Sequence, residues 1–465
     1  MTVRTRFAPS PTGYMHIGSL RTALYEYAFA KSQKGTFILR IEDTDKNRYV
    51  PGSTEKIYEQ LKIFRLNWDE SPYIQSERVK TDIYKNAAEK LLKDGHAFYC
   101  FCKAQTREEI KEAHGKGVSQ VRDLNCRNLT AEEIGQKIAA GEKPAIRLKT
   151  PDSEEVAFFD FVVKKNIKWN TKFVDDAMLL KSDEFPTYQL AVVVDDADMK
   201  ITHVIRALEW LPSTPIHLLL FKYLEYSVPQ IGHLTDILDP EGGKLSKRKG
   251  NVSTEDFLND GYLPEAILNF IMLLGWAPKD NREIFTLEEF VEVFNADGLQ
   301  KANPMFNKVK LDWFDQQYMR KLDIKDLTNK ISNFTDKPKG TIVKLLPLVR
   351  ERMVTLKDFD SLTDYFFIRP QGHLKNAMAQ LRGGGAVLEH AIGVLEKDFD
   401  GKILEEKARA FCAEKNIKVG DYFMALRVAI TGKTATPPLW DIIKILGKEE
   451  TLKRLYDCPT KKATT

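Results

Sequence analysis

Two short segments carry side chains able to grip a nucleotide triphosphate: Met15-His16-Ile17-Gly18-Ser19 near the start, and Lys244-Leu245-Ser246-Lys247-Arg248 past the middle. Gly18 lets the backbone approach a ligand, and His16 offers a ring nitrogen to a phosphate oxygen. A helix beginning near Ser19 would add unpaired N–H groups and the positive end of its dipole. Lys244 and Lys247 are flexible cations on a loop opened by Gly242-Gly243, and Ser246 adds a hydroxyl donor. Attack at an α-phosphorus spreads negative charge, so positioned cations favour the transition state over the ground state. A Walker loop is excluded, because Leu238 and Leu245 stand where it requires glycine and serine or threonine. Either segment alone is an ordinary turn or a solvated loop. Their joint occurrence, in this order and context, carries the nucleotide reading.

The elements that must position them alternate. Val3–Ala8 reads as a strand, Ser19–Lys34 as a helix and Thr36–Ile41 as a second strand, an order that implies a parallel sheet with a right-handed crossover. Thr54–Arg65 and Asp82–Asp94 have helical periodicity. From about His96 to Asp176 the texture changes to cysteines and aromatics, a charged helix at Thr106–His114, and β-rich Val156–Trp169. This reads as an insertion between two halves of one nucleotide-binding fold. The sheet is expected to resume at Leu190–Val194 and His203–Arg206, followed by a helix over Pro215–Leu224. Beyond residue 254 the pattern is amphipathic helix after helix, with no internal repeat. The expected domains are 1–95 (first half of a Rossmann-like α/β catalytic domain), 96–178 (an inserted α+β domain), 179–253 (second half), 254–320 (helical connector) and 321–465 (all-helical).

At 465 residues with 43% hydrophobic side chains, the chain can form several cores. The longest apolar stretch, Ala266–Ala277, is far shorter than a membrane span of about 20 residues. Neither a secretory signal nor a disulfide framework is expected: the start reads Thr2-Val3-Arg4-Thr5-Arg6, and there are 5 cysteines, few and odd in number. A reducing cytoplasm is the expected compartment. The net charge of +4 is unevenly spread: residues 321–465 hold 26 Lys+Arg against 19 Asp+Glu, while the rest hold 44 against 47. A basic C-terminal third suits a polyanion.

Longer blocks narrow the reading. Arg6-Phe7-Ala8-Pro9-Ser10-Pro11-Thr12-Gly13, Arg40-Ile41-Glu42-Asp43-Thr44-Asp45, Phe185-Pro186-Thr187-Tyr188, Val194-Asp195-Asp196, His203-Val204-Ile205-Arg206, Glu209-Trp210 and Lys244-Leu245-Ser246-Lys247-Arg248 stand in this order. Together they resemble the bacterial-type glutamyl-tRNA synthetases, class I enzymes, over essentially the whole chain. The resemblance implies an ATP site with Mg2+ at His16, Gly18, Glu209, Lys244, Ser246 and Lys247. It also implies a glutamate pocket of Arg6, Ser10, Glu42, Tyr188 and Arg206. The chemistry agrees: a dicarboxylate needs guanidinium partners and an anion for its ammonium. An alternative for Arg6 and Glu42 is a mutual ion pair that packs the sheet.

The resemblance further implies tRNA(Glu) as partner, with tRNA(Gln) as a second acceptor if the enzyme is relaxed, and activation that depends on bound tRNA. Arg122, Arg127 and Arg147 are candidates for the acceptor end, and Arg350, Arg352 and Arg369 for single-stranded anticodon bases. A monomer is expected. A catalytically silent tRNA-binding paralogue is the rival reading, opposed by the intact His16, Gly18, Lys244 and Lys247. The short homologue that glutamylates a queuosine base lacks an anticodon domain, and glutaminyl and archaeal or eukaryotic glutamyl enzymes carry β-barrels. Residues 321–465 show no barrel-like spacing of strands and turns.

Two departures stand out: Val192 replaces the family's asparagine, removing a polar contact, and Glu184 replaces its usual glycine. Cys100, Cys102 and Cys126 resemble the zinc knob of some relatives, but Asn128 stands where the fourth ligand would be, and nothing in the spacing compels His114 as its substitute. Three reduced thiols packed as small hydrophobes are therefore expected ahead of zinc.

Overall fold

The apolar run Phe37–Leu39 is fully buried in the first parallel pair of strands. In a computed structural model, which describes residues 2–102, 124–245, 253–370 and 384–458, strand β1 (Arg4–Phe7) pairs in parallel with β2 (Thr36–Ile41) in the register Arg4 to Thr36 and Phe7 to Leu39. Helix α1 (Ile17–Ser32) makes the crossover. It is rich in alanine and leucine, buries Leu20, Leu24, Tyr25 and Ala28, and carries Lys31 in its last turn, where a cation complements the dipole. Strand β3 (Tyr73–Ile74) adds to β2.

The second half of the sheet is β9 (His203–Ala207) parallel to β10 (Gln230–Leu234). The Thr202 N–H donates to the Arg4 carbonyl at 3.0 Å, and the Arg4 N–H donates to Thr202 Oγ1 at 2.9 Å. These bonds set the edge of the sheet that holds β9 and β10 beside β1 of the three-stranded sheet β3-β2-β1, so the strands follow one another as β3-β2-β1 and then β9-β10. The order reverses between β1 and β9, the place where open α/β sheets bind ligands beyond the strand ends.

The segment Leu190–Val194, expected to be a strand, lies inside a helix, Tyr188–Asp198. An unbroken apolar run bears no period, so it fits a buried helix as well as a buried strand. Here burial on every side is satisfied by a helix packed in the main apolar cluster.

The inserted segment is divided. Strands β4 (Ala97–Cys100), β5 (Ala145–Leu148) and β8 (Met178–Leu180) form their own antiparallel sheet in the order β4-β5-β8. The hairpin β6 (Glu155–Asp160) and β7 (Lys165–Asn170) instead joins the catalytic sheet, pairing Asp160 with Ile231 of β10. Gly232 permits this: a Cβ there would stand 2.5 Å from Val162 and 2.8 Å from the Phe161 ring.

The chain forms two compact units, 1–259 with 264–314, and 260–263 with 315–465. The second contains no strand among its described residues. Its core is Val387, Leu388, Leu395, Leu426, Ile430, Ile442 and Ile443, contributed by successive helices. No helix among the described residues is long and apolar enough to cross a membrane.

Candidate active site

Beyond the C-terminal ends of β1 and β9 opens a cavity of about 530 Å³, lined among others by Arg6, Ser10, His16, Gly18, Glu42, Tyr188, Arg206, Glu209 and Lys244. His16 caps α1: its backbone is extended and its Nδ1 accepts the Gly18 N–H at 3.0 Å. That bond fixes the ring orientation and leaves Nε2 as the hydrogen-bearing nitrogen of the neutral imidazole. A Cβ on residue 18 would stand 3.3 Å from Nδ1, so glycine preserves the cap.

Arg6 and Glu42 both line the cavity, yet their ion pairs are not with each other. Arg6 Nε donates to Asp196 at 3.0 Å and its Nη1 to Glu26 at 3.3 Å. Glu42 accepts from Arg40 at 2.9 Å, and Arg40 also donates to Asp196 at 2.6 Å. Against the cost of burial, the Arg6 and Arg40 charges hold the Asp196 carboxyl below its ordinary value. Glu26 is pushed up to about 8, chiefly by burial, and its Oε2 has no hydrogen-bond partner among the described residues.

Arg206 differs from every one of these. It is 6% exposed, and it donates to His233 Nε2 at 3.0 Å, Thr214 Oγ1 at 2.8 Å, His217 Nδ1 at 3.1 Å and Tyr188 Oη at 3.4 Å. All four acceptors are neutral, and no carboxylate pairs with it among the described residues. Burial lowers its own pKa and holds His217 well below the ordinary histidine value, with the Arg206 charge adding to the effect on His217. A buried, uncompensated guanidinium at the edge of a cavity is a site for an anion.

Lys244 donates to Asp236 at 2.9 Å and Glu209 at 3.1 Å. Despite partial burial, these carboxylates raise its pKa. Ser246 and Lys247 lie outside the described residues.

Comparison with known proteins gives the family. The family model for the catalytic domain of tRNA synthetases class I (E and Q) matches residues 2–313, and an anticodon binding domain matches 300–458. The chain belongs to the class I tRNA synthetases (E and Q). A glutamate–tRNA ligase of Thermoanaerobacter pseudethanolicus is 40% identical, with 97% of each chain covered. One of Alkaliphilus metalliredigens is 39% identical, with 98% of each covered. A crystal structure of a glutamate tRNA ligase from Elizabethkingia meningosepticum, in complex with its amino acid, superposes with a TM-score of 0.84 at 34% identity, covering 98% of this chain and 99% of that one.

In this synthetase Val192 is 2% exposed and packs in the apolar cluster, and it is not among the residues lining the cavity. Glu184 has φ of +65°, the left-handed region where glycine is at ease. Cys100, Cys102 and Cys126 converge, their sulfurs within 4.8 Å of one another.

Of the candidate RNA contacts, Arg127 points inward to Asp176 at 3.1 Å, and Arg147 donates to the Asp176 carbonyl at 3.0 Å. Arg122 lies outside the described residues, as does the segment Thr106–His114. In the helical unit, Arg350 donates to the carbonyls of Met319 at 2.8 Å and Leu322 at 2.7 Å. Arg369 pairs with Glu450 at 2.7 Å. Arg352 is exposed.

Sequence reasoning missed Asp196, Glu26 and Arg40, which anchor Arg6 and Glu42, and also Thr214, His217, His233 and Asp236. A signal existed for some: Arg40 interrupts an apolar strand, and Asp195-Asp196 follow an apolar run.

Proposed function

We propose that this synthetase is a glutamate–tRNA ligase. The observation that carries the reading is Arg206, a buried cation ringed by neutral acceptors on the cavity that also holds the His16 cap. The side-chain carboxylate of glutamate supplies the missing anion, Glu42 faces the ammonium, and Arg6, Ser10 and Tyr188 complete the pocket. The α-carboxylate attacks the α-phosphorus of ATP, giving glutamyl adenylate and pyrophosphate. A ribose hydroxyl at the 3′ end of tRNA(Glu) then attacks the acyl carbonyl and releases AMP. ATP brings Mg2+ to offset phosphate charge. Within the protein, His16 and Lys244 serve the nucleotide directly, with Ser246 and Lys247 assigned the same role from their motif. No side-chain nucleophile is required, because positioning and electrostatics lower the barrier.

The deciding test is charging of glutamate onto separate pure transcripts of tRNA(Glu) and tRNA(Gln), with free glutamine as competitor. Charging of tRNA(Glu) alone is expected. Charging of both transcripts would make the enzyme a relaxed one, and charging of neither would overturn the reading.

The three cysteines supply three of the four donors a structural zinc uses, and Asn128 is a poor fourth. Among the described residues the set falls one ligand short, and His114, the substitute the sequence offers, lies outside them; the proposed state is three reduced thiols, and no step is assigned to a metal. Elemental analysis of protein purified without chelator should find well under one zinc per chain; stoichiometric zinc would reverse this.

A further inference from the structure

Asp160 and His233 are both fully buried, and neither lines the cavity. Asp160 ends β6 of the inserted hairpin, and His233 lies on β10 of the catalytic sheet. Asp160 Oδ2 stands 2.7 Å from His233 Nδ1, and His233 Nε2 accepts the Arg206 Nε–H at 3.0 Å. Nδ1 must therefore carry the ring hydrogen, and Nε2 must present a lone pair. Asp160 Oδ1 is committed separately, accepting the N–H groups of Val162 and Val163 at 3.0 Å each and of His233 at 3.3 Å.

We propose that Asp160 and His233 form a positioning pair that holds the Arg206 guanidinium in the orientation that receives the substrate's side-chain carboxylate. The proposal rests on the reading of Arg206 given above. Its logic is one of distance. A carboxylate bonded directly to Arg206 would occupy the hydrogens that the ligand needs. Placed one imidazole away, Asp160 fixes the tautomer and the angle of the arginine and leaves the face toward the cavity open. The four acceptors use the Nε hydrogen, one of Nη2 and both of Nη1, and the Nη1 contact to Tyr188 is long at 3.4 Å. One Nη2 hydrogen and the replaceable Tyr188 contact are then available to a carboxylate. The inserted hairpin thus supplies a residue that shapes the amino-acid pocket.

Asp160→Asn tests the pair with little change of volume. Because Oδ1 is held as an acceptor by three N–H groups, the new amide must direct its NH2 at His233 Nδ1. The imidazole then adopts the other tautomer and turns an N–H against the Arg206 Nε–H. In charging assays with full-length enzyme and a tRNA(Glu) transcript, the KM for glutamate should rise about ten-fold or more. The KM for ATP and the kcat at saturating glutamate should hold. An unchanged KM for glutamate overturns the pairing, and so does a parallel rise in both KM values, the mark of a general structural role. Arg206→Lys, run beside it, separates the two claims. If that variant leaves the KM for glutamate unchanged, the reading of Arg206 itself fails. A measurement independent of any variant's folding is the ¹⁵N spectrum of His233 in the wild-type protein. A neutral ring protonated at Nδ1 is expected; an Nε2–H tautomer or an imidazolium at neutral pH overturns the proposal.

Discussion

Glu26 sits between two of the strands that build the pocket, and burial governs its behaviour. Its Oε1 accepts the Ile205 N–H at 2.7 Å and the Arg6 guanidinium at 3.3 Å, tying β9 to β1 just below Arg206. Burial pushes its pKa up to about 8, from an ordinary 4.5. Between those values the folded chain keeps a proton that the unfolded chain has released. Stability therefore falls as pH rises through that window, by about 1.4 kcal/mol per unit, and levels off above it. Glu26→Gln keeps the acceptor and removes the titration. Thermal melts at about pH 6 and about pH 8.5 should show the variant gaining on the wild type at the higher pH. An equal difference at both would mean that Glu26 ionises normally.

The elements show how far local pattern reaches. Helix α1 and strand β2 were legible because each has a length, a composition and a boundary signal that agree: the Pro/Gly turn before His16, the β-branched and aromatic run of Thr36–Ile41. The helix Tyr188–Asp198 was not, because its apolar run has no period and only the surrounding core decides its conformation. The junction of β6 with β10 was equally hidden, since it depends on a single parallel pair between segments far apart in sequence. Of the pocket, Arg6, Ser10, His16, Glu42, Tyr188, Arg206 and Lys244 could be read from motifs, whereas Asp236, which lines the same cavity, and the groups that anchor Arg6 and Glu42 are set by long-range contact. The helix Leu439–Tyr456 offers a test of the same kind of anchoring in the second unit. Glu450 bonds to Arg369 at 2.7 Å and to the buried Arg454 at 2.7 Å. The Arg369 hydrogen bonds, with Arg454, outweigh desolvation and hold its carboxyl down to about 2. A depressed value stabilises the fold above the unfolded carboxylate range and is lost as pH falls toward 2. Glu450→Gln should cost about 1–2 kcal/mol in denaturant melts at neutral pH, discounted for partial exposure, and much less near pH 3.

Across the whole molecule, the arginines that the sequence offers to RNA in the C-terminal third fall into two kinds, one exposed and one tied to the protein. Residues 321–465 carry 26 Lys+Arg against 19 Asp+Glu, a surplus suited to phosphate. Yet of the three arginines that the sequence proposed there, two have structural duties. Arg350 closes the end of the helix Lys308–Lys321 through carbonyls at 2.7 and 2.8 Å, and Arg369 is held by Glu450. Arg352, on the adjoining 3-10 turn, is exposed. The two kinds of arginine should separate under salt. The KM for tRNA should climb steeply with ionic strength while the KM for glutamate, set in a buried pocket, holds. Arg352→Gln should weaken tRNA binding and lower the slope of log affinity against log salt by about 1. Arg350→Gln should leave that slope alone and lower the thermal midpoint instead, since the carbonyls of Met319, Arg320 and Leu322 lose their donor. Binding titrations of both variants at several salt concentrations, beside their melts, decide it. A slope lost in Arg350→Gln rather than Arg352→Gln would mean that Arg350 leaves its helix end to bind RNA.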